Sequence, residues 1–268
     1  MYHELLNFYD LRKPAFNTTS NPDFFFESKS HQQALSVLLY GIQERKGIIL
    51  ITGEVGTGKT TLCKMLFNKL PSEVKISLVL NPYFSEVQLL RAIAEDFGLE
   101  VKKANRLDIV NTLNHFLLDL NLNNGNAVLV IDEAQDLSSR QLEQIRLLSN
   151  LETKDEKLLQ IVLVGQPELK EKINRHELRQ IYQRIIVKHH LCPLSADEVK
   201  DYIDHRLQKA GLGDVIIPPE AYTMINTFAR GVPRLINILC ERALMLGFIR
   251  QEKTLTQELL ATCIEEVK

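Results

Sequence analysis

The sequence predicts an α/β fold, a parallel sheet covered by helices on both faces and followed by a purely helical appendage. Three observations predict it. Residues 53–60, Gly-Glu-Val-Gly-Thr-Gly-Lys-Thr, have the G-x-x-x-x-G-K-[ST] spacing of a phosphate-binding loop and stand directly behind the apolar run Gly47-Ile48-Ile49-Leu50-Ile51-Thr52. Residues 127–133, Ala-Val-Leu-Val-Ile-Asp-Glu, read as a second buried strand that ends in two adjacent carboxylates. Strand-like runs alternate with helical patterns as far as Pro193, and beyond it the strands stop.

Taken in order, residues 1–30 are rich in aromatic side chains (Phe8, Tyr9, Phe16, Phe24, Phe25, Phe26), are interrupted by Pro14 and Pro22, and lack a clear period. An irregular arm packed on the sheet domain is expected there. From Ser30 to Glu44, the residues Ala34, Leu35, Leu38, Leu39 and Ile42 fall at helical spacing. Ile48–Thr52 is the first strand, and Leu62–Leu70 is the helix that the glycine-rich turn opens. Val74–Leu80 is the second strand. The helix after Ser85 begins Ser-Glu-Val-Gln, a capping box, and carries Leu89, Leu90, Ile93 and Phe97 as its buried stripe. Further strands are expected at Ala127–Ile131, Leu159–Val164 and Ile185–Leu191. Ala196–Gly211, Pro219–Ala229, Pro233–Arg250 and Gln257–Val267 then read as helices, broken by Gly211-Leu212-Gly213 and Gly231-Val232-Pro233. The predicted boundary near Pro193 gives a domain of residues 1–193 and a second of 194–268.

A chain of 268 residues suits one major domain with a smaller appendage. Hydrophobic residues make up 45% and charged residues 25%, the balance of an ordinary globular protein. A formal net charge of −2 provides no global basic field to gather nucleic acid. Local patches stay open, with Lys102, Lys103, Arg106 and Lys154 as candidates for a basic stripe. Cys63, Cys192, Cys240 and Cys263 lie far apart with no C-x-x-C pair, which argues against a zinc site and a disulfide framework and fits a reducing cytoplasm. No apolar run approaches a bilayer span, and Met1-Tyr2-His3-Glu4 lacks the charged and apolar regions of a signal peptide.

The loop and the acidic pair carry the chemistry. A strand feeding a glycine-rich turn that opens a helix aims backbone N–H groups and the helix N-terminus at one anion, and the ligand this predicts is a nucleoside triphosphate with Mg²⁺. Gly53, Gly56 and Gly58 let amides approach phosphate oxygens closely. With Glu54, Val55, Thr57, Lys59, Thr60 and Thr61 they make up the expected nucleotide-binding set. Lys59 is expected on the β- and γ-phosphates and the Thr60 hydroxyl on Mg²⁺. Asp132, at a strand's carboxyl end, is expected to face the same Mg²⁺, with Glu133 polarising a water for in-line attack. The plainer alternatives are a glycine-containing hairpin turn and an acidic pair that caps the helix after Leu137. His189 and His190 are adjacent in a strand, which sends their rings to opposite faces, so they are not expected to share a metal.

The chain also resembles a known family. The string Asn150-Leu151-Glu152-Thr153, the run Leu159-Gln160-Ile161-Val162-Leu163-Val164-Gly165-Gln166-Pro167-Glu168-Leu169, the early Arg45-Lys46-Gly47 and the late Gly231-Val232-Pro233-Arg234-Leu235-Ile236-Asn237 look like the AAA+ ATPases of the general secretion pathway protein A (ExeA-like) family. That family includes relatives serving MSHA-type pili and exosortase or polysaccharide loci. The resemblance covers essentially the whole chain. It implies a five-stranded parallel sheet in the order 5-1-4-3-2, a C-terminal helical lid, and ATP or ADP as ligand. Gln166 matches the sensor 1 residue that orients the attacking water, and Arg234 matches the sensor 2 arginine on the γ-phosphate. Arg179 and Arg184 lie where ring neighbours donate an arginine finger; five residues apart on a helix they point in different directions, and Arg184 is favoured. The plainer readings are a turn residue before Pro167 and a solvated arginine at a helix start.

The resemblance further implies a ring or filament of identical subunits formed on ATP binding, working in the cytoplasm with secretion or pilus-assembly proteins at the inner membrane. Larger members of the family continue into a transmembrane segment and a peptidoglycan-binding module, and this chain ends at Lys268. The alternative from a different class is a DNA-binding AAA+ regulator resembling the transposition ATPases, with DNA as the less favoured partner. A nucleotide-binding scaffold with negligible turnover is disfavoured by the presence of Lys59, Asp132 and Glu133 together.

Overall fold

A computed structural model of the chain describes residues 2–19, 21–80, 82–101, 105–211 and 213–267. Lys102 and Lys103 of the candidate basic stripe, and Leu212 of the first helix break, lie outside the described residues. In chain order the elements are α1 (Tyr2–Phe8), α2 (Lys29–Gln43), β1 (Ile48–Gly53), α3 (Lys59–Lys69), β2 (Val74–Val79), α4 (Glu86–Asp96), α5 (Arg106–Leu122) and β3 (Asn126–Ile131). They continue with α6 (Ser139–Leu148), β4 (Leu159–Gly165), α7 (Pro167–Ile173), α8 (Arg179–Tyr182), β5 (Ile185–Leu191), α9 (Ala196–Ala210), α10 (Pro219–Ala229), α11 (Pro233–Arg250) and α12 (Gln257–Val267). Among the described residues no helix is long and apolar enough to cross a membrane.

The chain divides into two compact units, one of His31–Gly53 and Leu62–Leu191, the other of Met1–Ser30, Glu54–Thr61 and Cys192–Lys268. The first is a five-stranded sheet in the order β2-β3-β4-β1-β5, parallel throughout, which is the expected 5-1-4-3-2 order read from its other edge. β1, β3 and β4 are fully or almost fully buried along their length, so apolar side chains point to both faces. One face packs Leu89, Ile93, Leu113, Leu142 and Ile145 of the helices against Leu129, Ile161 and Leu163. The other packs Leu38 and Ile42 of α2 and Leu62 and Leu66 of α3 against Ile49, Val128 and Val162. The Ser85 capping box is present, with a second on Ser138 and Gln141 at the start of α6. Between β2 and α4 the chain is braced by Gln141, whose Nε2 donates to the carbonyls of Pro82 and Phe84 at 3.2 and 2.9 Å.

The second unit holds α9 to α12 and the N-terminal residues. Here the structure corrects two expectations. Residues 2–8 form a regular helix, with Leu5 and Leu6 buried, because the prolines that interrupt the arm come only later. The arm's aromatics pack on helices rather than on the sheet: Phe16 and Phe24 join the core of Val199, Ile203, Ile225 and Leu239, and Phe26 meets the Tyr202 ring edge-on at 5.9 Å. Arg206 fixes the arm. Its guanidinium donates to the carbonyls of Ala15 and Asn17 and to the Tyr202 hydroxyl, which in turn donates to Asn237.

Candidate active site

Within the sheet unit β3, β4 and β1 lie side by side and run the same way, so their carboxyl ends Ile131, Gly165 and Gly53 share one edge. Ligands of open parallel sheets bind beyond that edge. Gly53 leads into residues 54–58, and α3 starts at Lys59, three residues before the predicted Leu62. Gly56 and Gly58 have φ of 82° and 98°, the left-handed backbone that glycine adopts without strain. Lys59 is buried, and its Nζ donates to the Glu54 carbonyl at 3.0 Å; the Thr57 hydroxyl donates to the same oxygen at 2.8 Å. The loop is therefore closed on its own first carbonyl, with the ammonium already inside it. Glu54 and Val55 are exposed, and Thr60 and Thr61 are half-buried in the first turn of α3.

Arg234 meets this loop. Its backbone N–H, at the second position of α11, donates to the Gly56 carbonyl at 3.2 Å, satisfying one of the donors that a helix start leaves over. A Cβ placed on Gly56 would fall 2.6 Å from the Arg234 Cβ. The approach of loop to helix is thus one only glycine permits.

The acidic pair sits at the end of β3. Asp132 is buried, and its Oδ1 accepts from the Glu133 N–H at 2.9 Å. Glu133 is held at φ 50° and ψ 38°, the left-handed region that costs a residue with a side chain about 1 kcal/mol or more. The pair does not cap α6, whose cap is Ser138. A short 3-10 turn, Ala134–Asp136, follows instead. Gln166, immediately after β4, brings its Nε2 to 3.4 Å from Glu133 Oε2. Gln135, which the sequence pattern does not single out, lies between them: its Nε2 donates to Glu133 Oε2 at 2.7 Å, and its Oε1 accepts from the Gln166 N–H at 3.1 Å. The only signal for it in sequence is an amide side chain two positions after the acidic pair.

Of the two candidate arginines, Arg179 is exposed at the start of α8 and Arg184 half-buried just before β5. Glu143 is held below the ordinary carboxylate range first by hydrogen bonds from Arg146, with the charge of Arg184 adding to the effect. Glu152 is lowered in the same way, first by Lys157 and then by Arg184. Arg184 therefore stands in a cluster of mixed charge on the sheet unit. His189 is half-buried and His190 exposed on β5, and His190 Nδ1 lies 3.0 Å from the Thr52 hydroxyl of β1.

Comparison with known proteins gives this geometry a lineage. Residues 42–173 match the model of an AAA domain family. General secretion pathway protein A of Aeromonas hydrophila is 44% identical over 245 residues, 91% of this chain and 45% of that protein, so the chain spans about half the length of this relative. Among solved structures, the Cdc6p protein of Pyrobaculum aerophilum superposes with a TM-score of 0.70 at 18% identity, covering 91% of this chain and 70% of that one. The ADP form of the Aeropyrum pernix ORC2 protein gives 0.69 at 18% identity over 94% and 72%. The Thermotoga maritima RuvB branch migration motor gives 0.60 at 19% identity over 95% and 73%. At such identities the structures share the fold, and the secretion relative supplies the kinship. The fold is that of the AAA+ P-loop NTPases, residues 42–173 match an AAA domain, and over 91% of its length the chain is a relative of general secretion pathway protein A.

Proposed function

We propose that the chain is a Mg²⁺-dependent ATPase whose nucleotide state controls its assembly in a bacterial secretion, pilus or polysaccharide-export system. The observation that carries the reading is the polar cluster at one sheet edge: a carboxylate, Glu133, faces Gln166 beyond the carboxyl ends of strands, and the neighbouring β1 feeds a phosphate-type loop. In this reading the Lys59 ammonium exchanges the Glu54 carbonyl for β- and γ-phosphate oxygens, and the loop amides and the start of α3 hold the remaining phosphate charge. Thr60 and Asp132 are the hard oxygen donors that suit Mg²⁺, which when bound neutralises charge on the β- and γ-phosphates. Glu133 takes the proton from the attacking water, and Gln166 orients that water. Arg234, anchored beside Gly56, reports the γ-phosphate to α11. Arg184 of a neighbouring copy completes the site in trans, so that ATP binding favours a ring or filament.

The secretion assignment is supported by the relative's name, and in this reading the work is done at the cytoplasmic face of the inner membrane with partners of that system. A DNA-binding regulator is the second reading; the fold is shared with an Aeropyrum pernix ORC1 protein solved with DNA, at 18% identity. Duplex binding needs several cationic contacts per subunit and weakens steeply with salt. The net charge of −2 favours the first reading. The test is the rate of ATP hydrolysis with Mg²⁺ or with chelator, across protein concentration, with and without long duplex DNA. We expect Mg²⁺-dependent turnover that rises per subunit with concentration and is indifferent to DNA. Strong stimulation by DNA with DNA-dependent filaments would transfer the assignment to the second class.

A further inference from the structure

Gln135 bonds to both residues that the proposed hydrolysis places around the attacking water, to the carboxylate of Glu133 and to the backbone N–H of Gln166, and nothing in that reading uses it. The orientation of its amide is fixed by chemistry: a carboxylate oxygen at 2.7 Å demands the NH₂, and a backbone N–H at 3.1 Å demands the oxygen. Flipped, both contacts would become repulsive. Room for the amide is made by Gly165 at the end of β4, where an added Cβ would fall 2.8 Å from Gln135 Oε1. The turn that carries Gln135 is itself held, since Lys172 Nζ of α7 donates to the Gln135 carbonyl at 2.8 Å and to that of Leu137. Glu133, by contrast, sits on a left-handed backbone with a long, rotatable side chain. Both amide donors, from Gln135 and Gln166, converge on its Oε2, while Oε1 takes no hydrogen bond among the described residues.

We propose that Gln135 is a positioning residue that clamps Glu133 Oε2 against the backbone of Gln166 and thereby aims Oε1 at the attacking water. An amide suits the task because it is neutral: it orients the carboxylate without setting a cation beside the base. The clamp also ties the end of β3 to the end of β4, so the base and the water-orienting residue keep one mutual distance. This inference rests on the reading of Glu133 as the base.

The test compares Gln135→Met, which keeps length and flexibility but removes both hydrogen bonds, with Gln135→Glu, which keeps shape but sets a carboxylate against a carboxylate. Each is measured for kcat, for ATP affinity and for thermal unfolding, alone and combined with Glu133→Gln. We expect kcat to fall about tenfold or more in both single variants, with ATP affinity within about threefold of wild type, since a misplaced base costs rate and not binding. In the Glu133→Gln background Gln135→Met should cost nothing further, because the residue acts only through Glu133. A general structural role would instead cost the same factor in both backgrounds, and that result, or wild-type kcat in Gln135→Met, overturns the proposal. Wild-type turnover in Glu133→Gln alone would overturn the reading of the base itself, an outcome distinct from failure of the clamp.

Discussion

Arg206 shows how one buried cation can decide where the N-terminal arm resides. Its three hydrogen bonds run to neutral acceptors, the carbonyls of Ala15 at 2.6 Å and Asn17 at 3.0 Å and the Tyr202 hydroxyl at 3.1 Å, and its guanidinium lies 5.0 Å from the Phe24 ring centroid. Burial raises the Tyr202 hydroxyl above its ordinary range despite the opposing charge of Arg206, so the phenol stays protonated and donates to Asn237. Arg206→Met keeps the apolar stem but leaves the buried Ala15 carbonyl without its donor, at a cost of about 1–3 kcal/mol. A lower melting temperature, with protease cleavage appearing first within residues 9–28, is the expected result; an unchanged melt with an intact arm would contradict it. None of this was legible in sequence, where an arginine on a helical pattern reads as solvated. The same holds for Gln135, whose partner Gln166 is brought to it by the β3–β4 pairing from 31 residues away along the chain. Lys59, Asp132 and Glu133 were legible because their positions follow from local spacing behind a strand.

At the level of elements, the strands and the four C-terminal helices fall within one or two residues of the pattern that predicts them, since valine- and isoleucine-rich runs and Gly/Pro breaks act locally. The misplaced element is the N-terminal arm, whose Ala15 carbonyl is held by Arg206, 191 residues away along the chain, and whose Phe16 and Phe24 pack among the C-terminal helices. The break Gly231-Val232 between α10 and α11 illustrates the local case. Gly231 has φ of 74°, its carbonyl accepts from the Leu194 N–H at 2.8 Å, and a Cβ there would collide with the Leu194 backbone. Gly231→Ala combines a left-handed backbone with an overlap that no rotamer relieves, and should destabilise by about 2 kcal/mol or more. Ser195→Ala, which removes only the capping box of α9, should cost about 1 kcal/mol. Chemical denaturation of the two variants checks the order, and a Gly231→Ala variant as stable as Ser195→Ala would refute the account of that turn.

Across the whole molecule, the order of the five strands has a direct consequence for function. β1 sits between β4 and β5, so the strand that feeds the loop is the direct neighbour of the strand that leads into Gln166, and β3, which leads into Asp132 and Glu133, comes next. A chain-order sheet would have separated these ends; the crossover gathers them on one edge. The kinship with a secretion protein twice as long identifies the lineage, while the proposed chemistry rests on residues of this chain. That chemistry is tested most directly by Glu133→Gln, which keeps the shape of the side chain and its amide contacts but removes the basic oxygen. Single-turnover hydrolysis of ATP in the presence of Mg²⁺ should slow by about 10²-fold or more relative to wild type while ATP binding is retained, leaving the variant loaded with intact ATP. Hydrolysis at the wild-type rate in this variant would contradict the account and move the base elsewhere.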